Sequence, residues 1–340
     1  MITSIPIVDI GKISVSNSKP SDWEVVAEEI RKALHEVGFM YLINHGIPSD
    51  VIAANFEISE QFFSLPKEIK RKYKKNMKES RNGWVEPGEE LLHPDSTFEY
   101  RECFDITSRK KFYPTDIPSF RPVHRRLESD CQKVIKNLLK LLAISLKLED
   151  PEFFIKRCCH LDVPEIANEC DFSMIFYPPI LSETILPPGT VRCAEHTDYE
   201  IITLLFQNRV GGLEIKTANG EWISADPIPD AILVITGDLL EMWTNKYYPA
   251  TLHRVVIPKT ESERKSARYS FAYFIAPDSQ VLIKPLKSEV IAQALQKDNN
   301  SQDCDRKKNF EEESQSTVIT AYEHIMERVK TAYGIKNTDD

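Results

Sequence analysis

From residue 170 onward the chain is a succession of short β-type runs: FSMIFY, EIITLLF, GGLEI, EWISA, AILVIT, TLHRVVI and RYSFAYFI, each set off by turn residues. Their spacing of roughly 8–15 residues fits an antiparallel sandwich or barrel, not a parallel sheet whose strands alternate with helices. The first 170 residues read differently. IPIVDI (5–10) and FMYLIN (39–44) alternate like short strands, and SDWEVVAEEIRKALHEVGF between them has helical spacing, with Ser21 and Glu24 placed as a capping box and Gly38 as a stop. A long amphipathic helix is expected from Pro122 to Leu148. The architecture that follows is α+β, mainly β. We expect a helical N-terminal region over 1–170, a β-core over 171–286, a mobile polar loop over 296–315 and a C-terminal helix over 316–334. Because the core lacks its own first strands, these parts should form one intertwined domain, with the last helix over the mouth of the core.

Composition narrows the function classes. The formal net charge is -9, and an acidic surface repels phosphate backbones, so nucleic acid is not an expected partner. No apolar run reaches the ~18 residues a membrane helix needs; NLLKLLAISLKL is interrupted by Lys140 and Lys147. The start, MITSIPIVDI, has neither the basic nor the apolar region of a signal peptide, and the seven cysteines show no regular spacing. A cytoplasmic, monomeric protein with buried thiols acting on a small molecule is the expectation.

His-x-Asp occurs three times among eight histidines, at His93/Asp95, His160/Asp162 and His196/Asp198. The first is split by Pro94 in an irregular stretch, and the second closes a helix. Only the third leads into an apolar run, where an ionisable pair needs a partner or a metal. On a strand, residues two apart share a face, so His196 and Asp198 are expected to project together, inward if Ile202 and Leu204 line the core. His253, in the later run ATLHRVVIP, supplies a third donor on the face of Val255 and Ile257. Two histidines and a carboxylate on one side of a metal leave coordination positions open, the arrangement of non-haem Fe(II) oxygenases. Zinc accepts the same donors.

A second pair is one that zinc would not explain. In ERKSARYSFAYFIAP, Arg268 and Ser270 run directly into a strand and share a face with Ala272 and Phe274, whereas Arg264 and Ser266 sit in a charged loop. An arginine on an inner face is costly unless it meets an anion, and its planar fork suits a carboxylate. An internal salt bridge is the alternative use.

Together EHTDYEIITLLFQNRVGGLEI, EWISADPIPDAILVITGDLLEMWTN, TLHRVVIP and RYSFAYF resemble the 2-oxoglutarate- and Fe(II)-dependent dioxygenases of the isopenicillin N synthase-like group. IPIVDI, VGFMYLINHGI and GWVEPGEE resemble its N-terminal region, and YPP at 177–179 the opening of its core. The resemblance implies a distorted double-stranded β-helix, or jelly roll, with flanking helices. It implies His196, Asp198 and His253 as iron ligands, with no catalytic residue beyond the metal centre. Arg268 and Ser270 are implied as the grip on the distal carboxylate of 2-oxoglutarate, with Tyr177 close to that co-substrate. The implied cofactors are Fe(II), 2-oxoglutarate and O2, and the implied reaction hydroxylates or otherwise oxidises a small molecule, releasing succinate and CO2. The alternatives carried with it are a 2-oxoglutarate-independent Fe(II) oxidase or cyclase of the same fold, a non-catalytic binding protein, and a zinc hydrolase. The chain departs from the plant members at Ser173, Ile175 and Lys246.

Overall fold

The structure is a computed structural model that describes residues 4–13, 18–77, 80–93, 98–107, 112–159, 168–300 and 318–335. The β-type runs form two sheets. The larger has eight strands in the order Ile7–Asp9, Phe39–Ile43, Ile232–Thr236, Ile202–Gln207, Arg268–Ile275, Asp171–Tyr177, Glu102–Thr107 and Gly83–Val85. The smaller runs Trp222–Ser224, Leu213–Lys216, His253–Val255, Cys193–His196. Neighbours pair antiparallel except Ile7–Asp9 with Phe39–Ile43, which is parallel. Four strands of the large sheet therefore come from the first 107 residues, and they widen a jelly-roll core of distorted double-stranded β-helix type.

Alternation along the strands builds the layers. On one face of the large sheet Phe172, Met174, Ile202, Leu204, Phe206, Phe271, Tyr273 and Ile275 join a core shared with the helices Pro20–Glu36, Ser49–Phe63 and Phe120–Ser145, through residues such as Ile30, Leu34, Phe62, Leu127 and Leu138. On the other face Tyr177, Leu205, Leu233, Ile235 and Ala272 meet Cys193, Leu213, Ile215 and Val255 of the small sheet. Stripes at helical spacing bury the helices, and period-two alternation splits each strand between two environments.

Several boundaries differ from the sequence expectation for local reasons. The first helix opens at Pro20, because a proline at the first helical position gives up no hydrogen bond; Asp22 then accepts the Lys19 N–H at 2.8 Å. Ser21 and Glu24 lie inside the helix instead of capping it. The long helix runs Phe120–Ser145, with Pro122 tolerated in its first turn. A helix Glu289–Asn300 covers 296–300 of the expected loop, and 301–315 lie outside the described residues. The last helix, Ala321–Ala332, is capped by Thr320 and Glu323 after a two-residue strand, Ile319–Thr320, that pairs with Leu282–Ile283. No helix among the described residues is long and apolar enough to cross a membrane.

Candidate metal centre

The small sheet brings two histidines together by register. His253 pairs directly with His196 across neighbouring antiparallel strands, and their ring centroids lie 4.2 Å apart. Asp198 arrives by a different route from the one alternation suggested. His196 is the last residue of its strand, and Asp198 lies in the turn before Ile202–Gln207. There its backbone carbonyl accepts the Asp238 N–H at 2.9 Å, and its Oδ2 accepts the Thr203 hydroxyl at 2.5 Å. Oδ1 is left 3.5 Å from His253 Nε2 and 3.9 Å from His196 Nε2. Nor do Ile202 and Leu204 line the inner side. They pack toward the helices, and Thr203 and Leu205 face the cavity.

The donor chemistry fits a divalent metal. His196 Nδ1 lies 2.9 Å from the Ala194 carbonyl and His253 Nδ1 3.2 Å from the Thr251 carbonyl. A carbonyl only accepts, so each Nδ1 carries the proton and each Nε2 lone pair points at Asp198. Burial, reinforced by the neighbouring His253, holds His196 well below the ordinary histidine range, while burial pushes the Asp198 carboxyl up. Burial is the first cause of both shifts, and a divalent cation between the donors would offset that cost. One donor atom from each residue lies within 4.8 Å of the others, and this is the one such cluster found among the described residues.

The same cavity, about 1020 Å³ including its open mouth, runs to Arg268. Arg268 is 1% exposed; its guanidinium donates to Ser270 Oγ at 3.1 Å and Gln207 Oε1 at 2.9 Å, and its Nε has no partner. Tyr177 is its register partner on the adjacent strand, and the guanidinium stands 4.7 Å from that ring's centroid. No acid pairs with Arg268 among the described residues. Burial lowers its pKa, a cost that a carboxylate at its fork would offset. Arg192 is likewise buried, with all three guanidinium nitrogens unpartnered, and burial followed by repulsion from Arg268 pulls it down to about 10. Arg264 is exposed and donates to the Pro258 and Lys259 carbonyls of its own loop.

Sequence reasoning missed the rest of the wall. Thr203 and Gln207 alternate with Leu205 in ITLLFQ, a legible period-two signal for polar groups on an inner face. Lys75, Arg81, Glu90, Arg101, Asp105 and Asp171 carried no such signal, since tertiary folding brings them to the cavity. The last helix and the residue that follows it close one side: Val329 and Tyr333 line the cavity, and Arg328 reaches Asp238 at 3.0 Å and Thr197 at 3.3 Å. His93 lies outside this cavity, and Asp95, His160 and Asp162 fall outside the described residues.

Known proteins resemble this chain over most of its length. Residues 5–125 match the family profile for the N-terminal region of non-haem dioxygenases in morphine synthesis, and residues 153–277 match that of the 2OG-Fe(II) oxygenase superfamily. A proline hydroxylase from Petromyces alliaceus is 33% identical over 289 residues, 80% of this chain and 88% of that protein. A homoarginine-6-hydroxylase from Glycine max is 27% identical over 84% of this chain and 88% of its own length. Among solved structures, a full-length Neurospora crassa protein in complex with alpha-KG superposes with a TM-score of 0.77 at 27% identity, covering 96% of this chain and 95% of that one.

Proposed function

This chain belongs to the 2-oxoglutarate–Fe(II) oxygenase superfamily and is a 2-oxoglutarate-dependent dioxygenase of small molecules, and we propose that its reaction is hydroxylation, run by one iron held by His196, Asp198 and His253. The observation carrying the residue assignment is the placement of this three-donor cluster and an acid-free buried arginine on one cavity. The Petromyces alliaceus and Glycine max relatives are both named as hydroxylases. Iron, O2 and 2-oxoglutarate supply the oxidising power, with succinate and CO2 as co-products.

The chain's own residues bind, orient and exclude water. His196, His253 and Asp198 would hold the metal, with Thr203 fixing the Asp198 carboxylate through Oδ2. Arg268, steadied by Gln207, offers its fork to the distal carboxylate of 2-oxoglutarate, and Ser270 adds a hydroxyl donor. Tyr177, buried beneath the guanidinium, keeps that end dry, which strengthens the ion pair. The last helix shields the open side, so that the substrate C–H is held near the metal away from bulk water.

The test is a panel of small metabolites scored by succinate release and by O2 consumption with and without 2-oxoglutarate. The reading requires both to depend on 2-oxoglutarate and to rise with a substrate. O2 consumption that proceeds without 2-oxoglutarate would move the chain to the oxidase or cyclase alternative.

A further inference from the structure

We propose that the substrate is an organic cation, a small molecule bearing a protonated amine, and that Asp171 and Glu200 on the cavity wall receive its charge. The inference rests on the oxygenase reading above and adds the chemistry that the substrate must carry.

The argument is charge pairing. On this side of the cavity every cation already has its carboxylate. Lys75 Nζ lies 2.7 Å from Asp105 Oδ2 and donates to the Tyr333 hydroxyl at 3.0 Å. Arg81 pairs with Glu169 at 2.7 Å, and Arg101 pairs with Glu99 and Glu90, each at 2.8 Å. The second oxygen of Asp105 is taken by the Ser173 hydroxyl at 2.6 Å. Two carboxylates remain, and neither has an ion pair among the described residues. Asp171 Oδ1 is enclosed and accepts no hydrogen bond. Glu200 is 5% exposed, lines the same cavity, and its side chain accepts the Tyr199 N–H at 3.2 Å and its own backbone N–H.

Loading the site with its cofactors leaves this surplus unchanged. A divalent metal and Arg268 together carry three positive charges against the three negative ones of Asp198 and the 2-oxoglutarate dianion, and the unpartnered Arg192 adds its charge at the Arg268 end. Asp171 and Glu200 stay without a paired cation, and an enclosed carboxyl such as Asp171 is stabilised by a cation or a hydrogen-bond donor placed against it. The groups acting on Asp171 are the cations Lys75 and Arg81 and the acids Asp105, Glu90 and Glu200. Burial first, and Asp105 next, push the Asp171 carboxyl up to about 7. An ammonium placed against it would reverse that shift. A neutral or anionic substrate would leave both carboxyls without a counter-cation and Asp171 Oδ1 without a donor.

The polarity of the cavity is thus split. Unpaired guanidinium nitrogens lie at the Arg268 end, suited to an acid, and unpaired carboxylates lie on the far wall, suited to a base. An amine held at Asp171 and Glu200 would keep the substrate out of the anion site and present carbons along its chain to the metal cluster.

The experiment uses iron-loaded protein with saturating 2-oxoglutarate under anaerobic conditions, so that binding is read without turnover. Calorimetric titration compares 1-aminopentane and pyrrolidine with 1-pentanol and pentanoate. The expected result is that at least one amine binds about tenfold or more tighter than both non-basic probes, and that Asp171→Asn or Glu200→Gln erases most of that preference. Circular dichroism and binding of 2-oxoglutarate by each variant report whether it is folded. The proposal is overturned if no amine binds, if pentanol or pentanoate binds as well as the amines, or if the amine preference survives both substitutions. Failure of the wild-type protein to bind 2-oxoglutarate would sink the oxygenase-site assignment itself, whereas 2-oxoglutarate binding without amine preference would sink only the charge assignment.

Discussion

The two faces of the large sheet are made by alternate residues of the same strands, yet they obey different rules. Toward the helices, Arg268–Ile275 presents Phe271, Tyr273 and Ile275, and Ile202–Gln207 presents Ile202, Leu204 and Phe206, packed into one apolar layer. Phe271 alone touches the rings of Phe56, Phe172 and Phe206. Toward the small sheet, the same strands present Arg268, Ser270 and Ala272, and Thr203, Leu205 and Gln207. That face buries a guanidinium, raises carboxyl pKa values and leaves polar atoms unpartnered. One face supplies stability by removing apolar area from water; the other gives up stability to keep polar groups ready for ligands.

Substitutions can break this contrast. The largest effect belongs to the metal cluster: His196→Ala, Asp198→Ala or His253→Ala should abolish turnover and iron retention, measured by elemental analysis, while the metal-free protein keeps its circular dichroism spectrum. A variant that turned over normally without His253 would remove the three-donor site. Next comes a crossed pair on one strand. Phe271→Ala should cost about 3–5 kcal/mol of unfolding free energy and leave the KM for 2-oxoglutarate unchanged. Arg268→Met should do the reverse: leaving a carboxylate unpaired costs about 3–5 kcal/mol, which is about two orders of magnitude or more in KM. Equal loss of stability and of co-substrate affinity in both variants would erase the distinction between the faces. Ser270→Ala should follow at about 1–2 kcal/mol in co-substrate affinity, the worth of one hydrogen bond to a charged group.

A smaller effect sharpens the stability side. The Asp171 carboxyl sits near 7 in the folded protein, above its ordinary 3.8, so between those values the folded state binds more protons than the unfolded one. Stability from this group therefore falls as pH rises through that window. Asp171→Asn should raise the melting temperature of metal-free protein by about 2–5 °C at pH 8 and change it little at pH 4. A variant less stable than the wild type at pH 8 would show that the carboxylate is a structural partner. The smallest effect is expected at Arg264, whose exposed contacts are worth at most about 1 kcal/mol, so Arg264→Met should be silent in the KM assay.

How much of this was legible follows the range of the signal. Strand parity placed Arg268, Ser270, Ala272 and Phe274 together, and His253 with Val255, because alternation depends only on the extended backbone of neighbouring residues. Parity failed for His196 and Asp198, since the strand ends between them and a turn, held by Thr203 and Asp238, swings the carboxylate back. Polar residues in an apolar run flagged an inner face, but no local rule says that Lys75 meets Asp105 and Tyr333, or that Asp171 is left without a partner.

The sequence by itself determined which residues share a strand face, which stripes make helices, and the donor types available for a metal and an acid, because these are set within a few residues by backbone geometry and side-chain chemistry. Only the tertiary structure decided the register that sets His253 beside His196, the recruitment of four early strands into the large sheet, and the charge balance of the cavity wall. Those depend on contacts between segments as far apart as Lys75 and Tyr333, which exist only once the helices, the two sheets and the last helix have packed against one another and excluded water from between them.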